Sequence, residues 1–169
     1  MLKLYNSYTK SLEEVILSTE ELKVYLCGPT VQSSPHIGHG RSSVVFDFFI
    51  RYLKYQGHNV LFVRNITDID DKIILKSAEQ NIEFRKLAEE VTIEFRDAYE
   101  KLNCMSPDVE PKATEYIEEI LIYIEKILEN NMGYVSESGV YFDTAGYSEY
   151  LKLSGRKIEE VISGTRVDI

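Results

Sequence analysis

The chain is poor in cysteine, with only Cys27 and Cys104, and these form no CxxC pair. A dense disulfide scaffold is therefore excluded. No apolar run approaches the ~20 residues that a membrane-spanning helix needs. The opening, MLKLYNSYTK, lacks the apolar stretch followed by small residues that marks a secretory signal, so the expected location is cytoplasmic. Positive charge is in deficit. Nineteen Lys and Arg stand against 28 Asp and Glu, a net charge of −9, so the chain as a whole carries no electrostatic footprint for nucleic acid. A local basic patch is compatible with that balance. Repeats and low-complexity segments are also lacking. What is present is globular in kind: 44% hydrophobic and 28% charged residues, in a length of 169 that suits one domain or one and a half.

The hydrophobic pattern gives an order of elements. LKLYN alternates as a short strand, and Lys23 to Cys27 reads as a strand ending at Gly28-Pro29. His36 to about Gln56 has helical spacing, with Val44, Val45, Phe48, Phe49, Tyr52 and Leu53 at three- and four-residue steps. Gly57 then suits a helix end that needs positive φ. NVLFVRNIT is a near-continuous apolar run, as expected of a strand covered on both faces. Strand, helix and strand make a βαβ unit with parallel strands. From Asp68 the chain turns helical. Asp68 is expected to cap a helix containing Ile73, Ile74 and Leu75, with Asp70 and Asp71 in its first turn. Further helices are expected over about 84–102 and 111–131, broken by Ser106-Pro107-Asp108. The last has an apolar face of Ile117, Ile120, Leu121, Ile124, Ile127 and Leu128. YVSESGVYFD reads as a hairpin, and the tail as loop with a short helix. The fold class is α/β: residues 1–66 form part of a nucleotide-binding sheet, and 67–169 are mostly helical with a hairpin. A lone βαβ unit leaves a sheet edge open.

The sharpest chemical feature is Pro35-His36-Ile37-Gly38-His39 at a strand-to-helix transition. Histidines three apart share a helix face. A helix N-terminus offers free N–H groups and a dipole that favours anions, and Gly38 permits close approach of a ligand. Two imidazoles aimed at a phosphate chain can stabilise charge developing at phosphorus. Taken alone, HxxH reads first as a chance pairing near a helix start, and for zinc it is only half of a site.

The surrounding residues extend the signal. CGPTVQSSPHIGHGRSSVVFD, then Val63 to Lys72 (VRNITDIDDK), then Pro107-Asp108 through Pro111-Lys112-Ala113-Thr114-Glu115-Tyr116-Ile117, follow one another in order. Together they resemble the N-terminal portion of a class I aminoacyl-tRNA synthetase of the cysteine-specific branch, whose HIGH motif matches His36, Ile37, Gly38 and His39. That resemblance implies a Rossmann-like catalytic domain with a connective insertion. It implies ATP-dependent activation of cysteine and transfer to tRNA, with magnesium accompanying ATP. His36 and His39 would be catalytic. Pro29 and Thr30 would join the HIGH residues in holding ATP, Gly28 and Thr67 would contact the amino acid, and Cys27 would be a zinc ligand. The branch's other zinc ligands, its KMSKS loop and its anticodon-binding region match nothing in these 169 residues, so the chain alone is expected to be inactive. Cys104 is expected to pack and His58 to be exposed. Asp47 and Arg41 are expected to be structural. Gln32 and Ser33 depart from the Tyr and Asp frequent in the branch. Ile37, Arg41 and Ser42 favour the synthetase over the related cysteine:amino-sugar ligase of mycothiol synthesis. A non-catalytic fragment that binds a nucleotide or a partner chain is a rival of another class. An HxGH-type adenylyltransferase is a third rival, against which the TDIDDK block argues.

Overall fold

The hydrophobic run Val60–Arg64 forms a strand, β4, paired in parallel with β3 (Leu22–Leu26) so that Leu22 faces Val60 and Leu26 faces Arg64. The structure is a computed structural model, which describes residues 2–15, 17, 21–156 and 161. Between the two strands runs α1 (Ile37–Tyr55), the expected βαβ crossover. Gly57 ends it at φ +87°, in the left-handed region where glycine is the natural occupant. The described chain divides into two compact units: Ser18–Glu118, and Met1–Leu17 together with Glu119–Ile169.

In the first unit, α2 (Asp71–Gln80) and α3 (Phe84–Lys101) follow β4. Leu87, Ala88, Val91, Phe95 and Tyr99 of α3 repeat every three or four residues and are buried on one face, against Ile73 of α2. Ile66 and Val31, from the two loops that follow the strands, join the same core. Complete burial of side chains such as Phe95 and Ile73 contributes about 1.5–3 kcal/mol each.

One expectation is corrected here, and one edge of the sheet proves to be covered. The cap of α2 is Asp70, which accepts from the Lys72 N–H at 2.9 Å. Asp68 is buried instead and receives the Thr114 N–H at 2.9 Å and the Thr114 hydroxyl. The far side of β4 is also not bare. Asp108 to Ala113 runs parallel to it: Arg64 N–H donates to the Val109 carbonyl at 3.1 Å, Ile66 N–H to Pro111 at 2.8 Å, and Ala113 N–H to Ile66 at 3.0 Å. Pro107 just before this segment and Pro111 within it hide it from strand patterns, but only its carbonyls and the non-proline N–H groups are needed for pairing. Asp108 and Phe62 lock the start of the segment, since the Asp108 carboxylate accepts the Phe62 N–H at 2.7 Å. Asp47 of α1 is structural, as expected. It pairs with Arg51 at 2.7 Å and accepts the Met105 N–H at 2.7 Å.

In the second unit, β1 (Lys3–Asn6) pairs antiparallel with β2 (Ser11–Glu14), a strand with no sequence signature in SLEE. β5 (Gly133–Ser136) and β6 (Gly139–Phe142) form the expected hairpin, with Tyr134 stacked on Tyr141. The apolar face expected over 111–131 belongs to α4 (Ile117–Glu129), but Ile117, Ile120 and Leu121 on it are exposed rather than buried. The short helix expected in the tail falls largely on 157–160 and 162–169, outside the described residues.

Candidate active site

At Gly28, after β3, the chain passes close against Asn65 at the end of β4. A Cβ built on Gly28 would stand 1.5 Å from the Asn65 carbonyl oxygen. Only glycine lets the two strand ends come this close. The Gly28 N–H donates to the Asn65 side-chain oxygen at 2.7 Å, and the Asn65 amide donates to the Thr67 hydroxyl at 3.3 Å. Thr67 then zips the loops together, giving its N–H to Pro29 at 3.0 Å and accepting from Val31 at 3.2 Å. Val31 is fully buried and anchors the loop in the core. These contacts place residues 27–30 beside the start of α1.

At that start, two histidines form a reciprocal cap. The His36 Nδ1 accepts from the Gly38 N–H at 3.1 Å, and the His39 Nδ1 accepts from the His36 N–H at 3.2 Å. This is the capping-box arrangement with imidazoles in place of the usual Ser/Thr and Glu/Gln. The rings stack with centroids 3.9 Å apart, and His39 sits edge-on to Phe95 at 4.9 Å. A neutral imidazole whose Nδ1 accepts carries its proton on Nε2, so both rings present Nε2–H as a donor.

The geometry revises two readings of the motif. The Gly38 N–H is consumed by His36, and the His39 and Gly40 N–H groups donate to the His36 carbonyl. The donors left for an anion at this terminus are therefore the Ile37 N–H and the imidazoles themselves. The absence of a side chain at Gly38 makes room for His36, whose ring carbon lies 2.9 Å from where a Cβ would stand.

Partial burial, and then the neighbouring His36 charge, hold the His39 pKa below the ordinary histidine value. Protonation would also cost Nδ1 its role as acceptor. The folded state thus disfavours the charged ring, and the stability this contributes is fully present above the unfolded pKa of about 6.5 and is lost as pH falls through the lowered folded value. In an NMR titration, the His39 ring carbons should report a midpoint below 6.5. A midpoint at or above that value would count against the neutral cap.

Cys27, Gly28, Pro29 and Thr30 line a cleft of about 390 Å³ together with His36, Gly38 and His39. Cys27 is exposed there. Ile37 and Thr67 are not among its lining residues; Ile37 projects into solvent and Thr67 braces the loop from behind. In a chain of net charge −9, no carboxylate among the described residues lines this cleft, whereas Arg64 and Lys72 both do. The motif-based reading did not single out Arg64, Lys72, Asn65 or Tyr99. Arg64 closes an apolar run and reads as its polar boundary, and only the fold shows its guanidinium buried and stacked on Tyr99 at 4.3 Å.

Among the described residues, no group of three or more His, Cys, Asp and Glu is placed to hold a metal. Cys27 offers one soft ligand, short of the four that zinc takes. Cys104 packs against the core, where burial and then the Asp47 charge push its thiol pKa up. His58 is half-buried rather than exposed.

Residues 13–169 match the family model described as tRNA synthetases class I (C) catalytic domain. The chain is 46% identical over 171 aligned residues to the cysteine–tRNA ligase of Vibrio cholerae, covering all of this chain and 37% of that protein. It is 43% identical to that of Shewanella woodyi with the same coverage, and 42% identical over 169 residues to that of Methanococcus maripaludis, covering 99% of this chain and 36% of the relative. The chain thus spans little more than a third of the length of these relatives. It belongs to the class I (C) tRNA synthetase catalytic domain family.

Proposed function

We propose that this chain supplies one wall of a cysteine–tRNA ligase active site, in which cysteine is activated by ATP and passed to tRNA. The observation that carries this reading is the imidazole cap: two Nε2–H donors at the mouth of a cleft without carboxylates, suited to a polyphosphate. His36 and His39 act as the catalytic donors. Pro29, Thr30, Ile37 and Gly38 belong to the ATP site, and Gly28 and Thr67 to the amino-acid site, with Thr67 acting by fixing the loop. Magnesium arrives with ATP. Cys27 is proposed as a single zinc ligand; zinc would favour sulfur and hold a bound thiol as thiolate. The residues present do not complete that site. Function divides at residue 66, with 1–66 as the first half of the nucleotide-binding fold and 67–169 as helical region and connective insertion. The reaction takes place in the cytoplasm. That these relatives are cysteine–tRNA ligases supports this reading over the amino-sugar ligase.

The test is cysteine-dependent ATP–pyrophosphate exchange. The 169-residue chain alone should show none. A chimera that joins it to the remaining two thirds of the Vibrio cholerae relative should exchange. In that chimera, His39→Ala should lower the rate by about 10²-fold, the usual loss for one transition-state donor. A chimera whose exchange ignores cysteine, or survives the loss of both histidines, would refute the proposal.

A further inference from the structure

The register between the first two parallel strands changes by one residue at their C-terminal ends. From Leu22 opposite Val60 to Leu26 opposite Arg64, paired residues stand 38 positions apart, whereas Thr30 and Thr67, paired just beyond, stand 37 apart. Three residues, 27–29, therefore span the same gap as two, 65–66. This is a bulge, with one extra residue on the β3 side. Burial follows it. Leu22 and Val24 are half-buried and Leu26 is buried, while Lys23, Tyr25 and Cys27 between and after them are exposed. Beyond the bulge the order reverses, and Pro29 and Val31 are buried. Strict alternation would put residues 27 and 31 on one face of a strand. The extra residue lets Cys27 stay open to the cleft while Val31 enters the core.

A bulge interrupts the ladder, and its stranded donors need other acceptors. Here the Gly28 N–H finds the Asn65 side-chain oxygen at 2.7 Å. A backbone N–H can only donate, so it fixes which end of the Asn65 amide faces it. The amino end turns to the Thr67 hydroxyl at 3.3 Å. Asn65 is half-buried and belongs to the two-residue side of the bulge. Main-chain pairing resumes directly after it, with the Thr67 N–H on Pro29 and the Val31 N–H on Thr67. One side chain thus bridges the break in the ladder.

We propose that Asn65 is a positioning residue for amino-acid activation: its side chain holds the Gly28 bulge open, and the bulge presents Cys27 to the cleft. Asn65 does not itself line the cleft, so it acts on a substrate only through Gly28 and Cys27. Asn65→Leu would match the shape and leave the Gly28 N–H without its acceptor, which the loop can relieve only by shifting. Asn65→Asp would keep an acceptor in the same place. This inference rests on the cysteine-activating reading above and adds to it the residue that sets where Cys27 stands.

Two measurements test it. The first is amide hydrogen exchange by NMR on the 169-residue chain, with the Val31 N–H as the reference for an intact loop. Gly28 should be protected in the natural sequence and in Asn65→Asp. Asn65→Leu and Asn65→Ala should each speed its exchange about tenfold or more. Equal protection in every variant would show that another group holds Gly28, and loss of protection in Asn65→Asp would show that the acceptor is not what matters; either overturns the proposal. The second is ATP–pyrophosphate exchange by the chimera with the Vibrio cholerae relative. Asn65→Ala should raise the KM for cysteine about tenfold, as for loss of one hydrogen bond, and leave the KM for ATP within about twofold. Asn65→Asp should recover most of the loss. Equal rises in both KM values, or an aspartate variant no better than alanine, would make Asn65 a general support of the fold and overturn the positioning role. If exchange depends on cysteine and Asn65→Ala leaves its KM unmoved, the ligase reading stands and the Asn65 assignment falls. If exchange ignores cysteine, both fall.

Discussion

Gly28→Ala is expected to destabilise the chain by about 3 kcal/mol or more, the upper end for an overpacked site. The added carbon meets backbone, the Asn65 carbonyl oxygen at 1.5 Å and its carbon at 2.7 Å, so no rotamer change relieves it. The strand ends must part. Parting them breaks the 2.7 Å bond from the Gly28 N–H to Asn65 and strains the two bonds that Thr67 makes to the same loop. Urea unfolding followed by circular dichroism would read the loss as a lower midpoint. An unchanged midpoint would mean that the loops separate freely and that the close approach is not needed. Gly57 is the useful contrast. Nothing lies within 4 Å of a Cβ there, and its requirement is conformational, set by φ +87°.

Glu110→Ala should cost about 3–5 kcal/mol, the range for breaking a buried ion pair from one side. The substitution leaves Arg64 buried with its charge unmatched, against the Tyr99 and Phe62 rings. Arg96, half exposed, loses little because water replaces its partner. Glu110→Gln separates charge from shape: it keeps an acceptor for Arg64 and should lose less than the alanine variant. Chemical denaturation of both variants checks this. If the alanine variant loses under about 1 kcal/mol, Arg64 has access to solvent and its burial is not what makes Glu110 necessary.

The sequence was most legible where one residue type admits one local geometry. The apolar run at 60–64 had to be a covered strand, and the three- and four-residue steps of α1 had to be a helix. The histidine pair was visible as a pair, but its geometry was not. Whether first-turn N–H groups are free or spent depends on side-chain rotamers, and both imidazoles turn back to cap their own helix. Asp68 and Asp70 show the same limit. Each is a carboxylate near a helix start, and only the position of Thr114, 46 residues away, decides which of them caps. Arg64 and Glu110 are also 46 residues apart, so no local pattern pairs them. Strand β2 was invisible because SLEE lacks β-branched and aromatic residues, and is a strand only because β1 lies beside it.

The 108–113 segment that completes the second edge of β4 also sets a schedule for synthesis. Phe62 waits for Asp108, 46 positions downstream. At a ribosomal pace of about 5–20 residues per second, β4 emerges roughly 2–9 seconds before the backbone that covers it. During that interval it is an apolar strand with an open edge, the kind of segment that pairs with the wrong chain. The nascent chain is therefore most in need of a chaperone between the appearance of residue 64 and that of residue 113, and slowing translation within that stretch should lengthen its exposure.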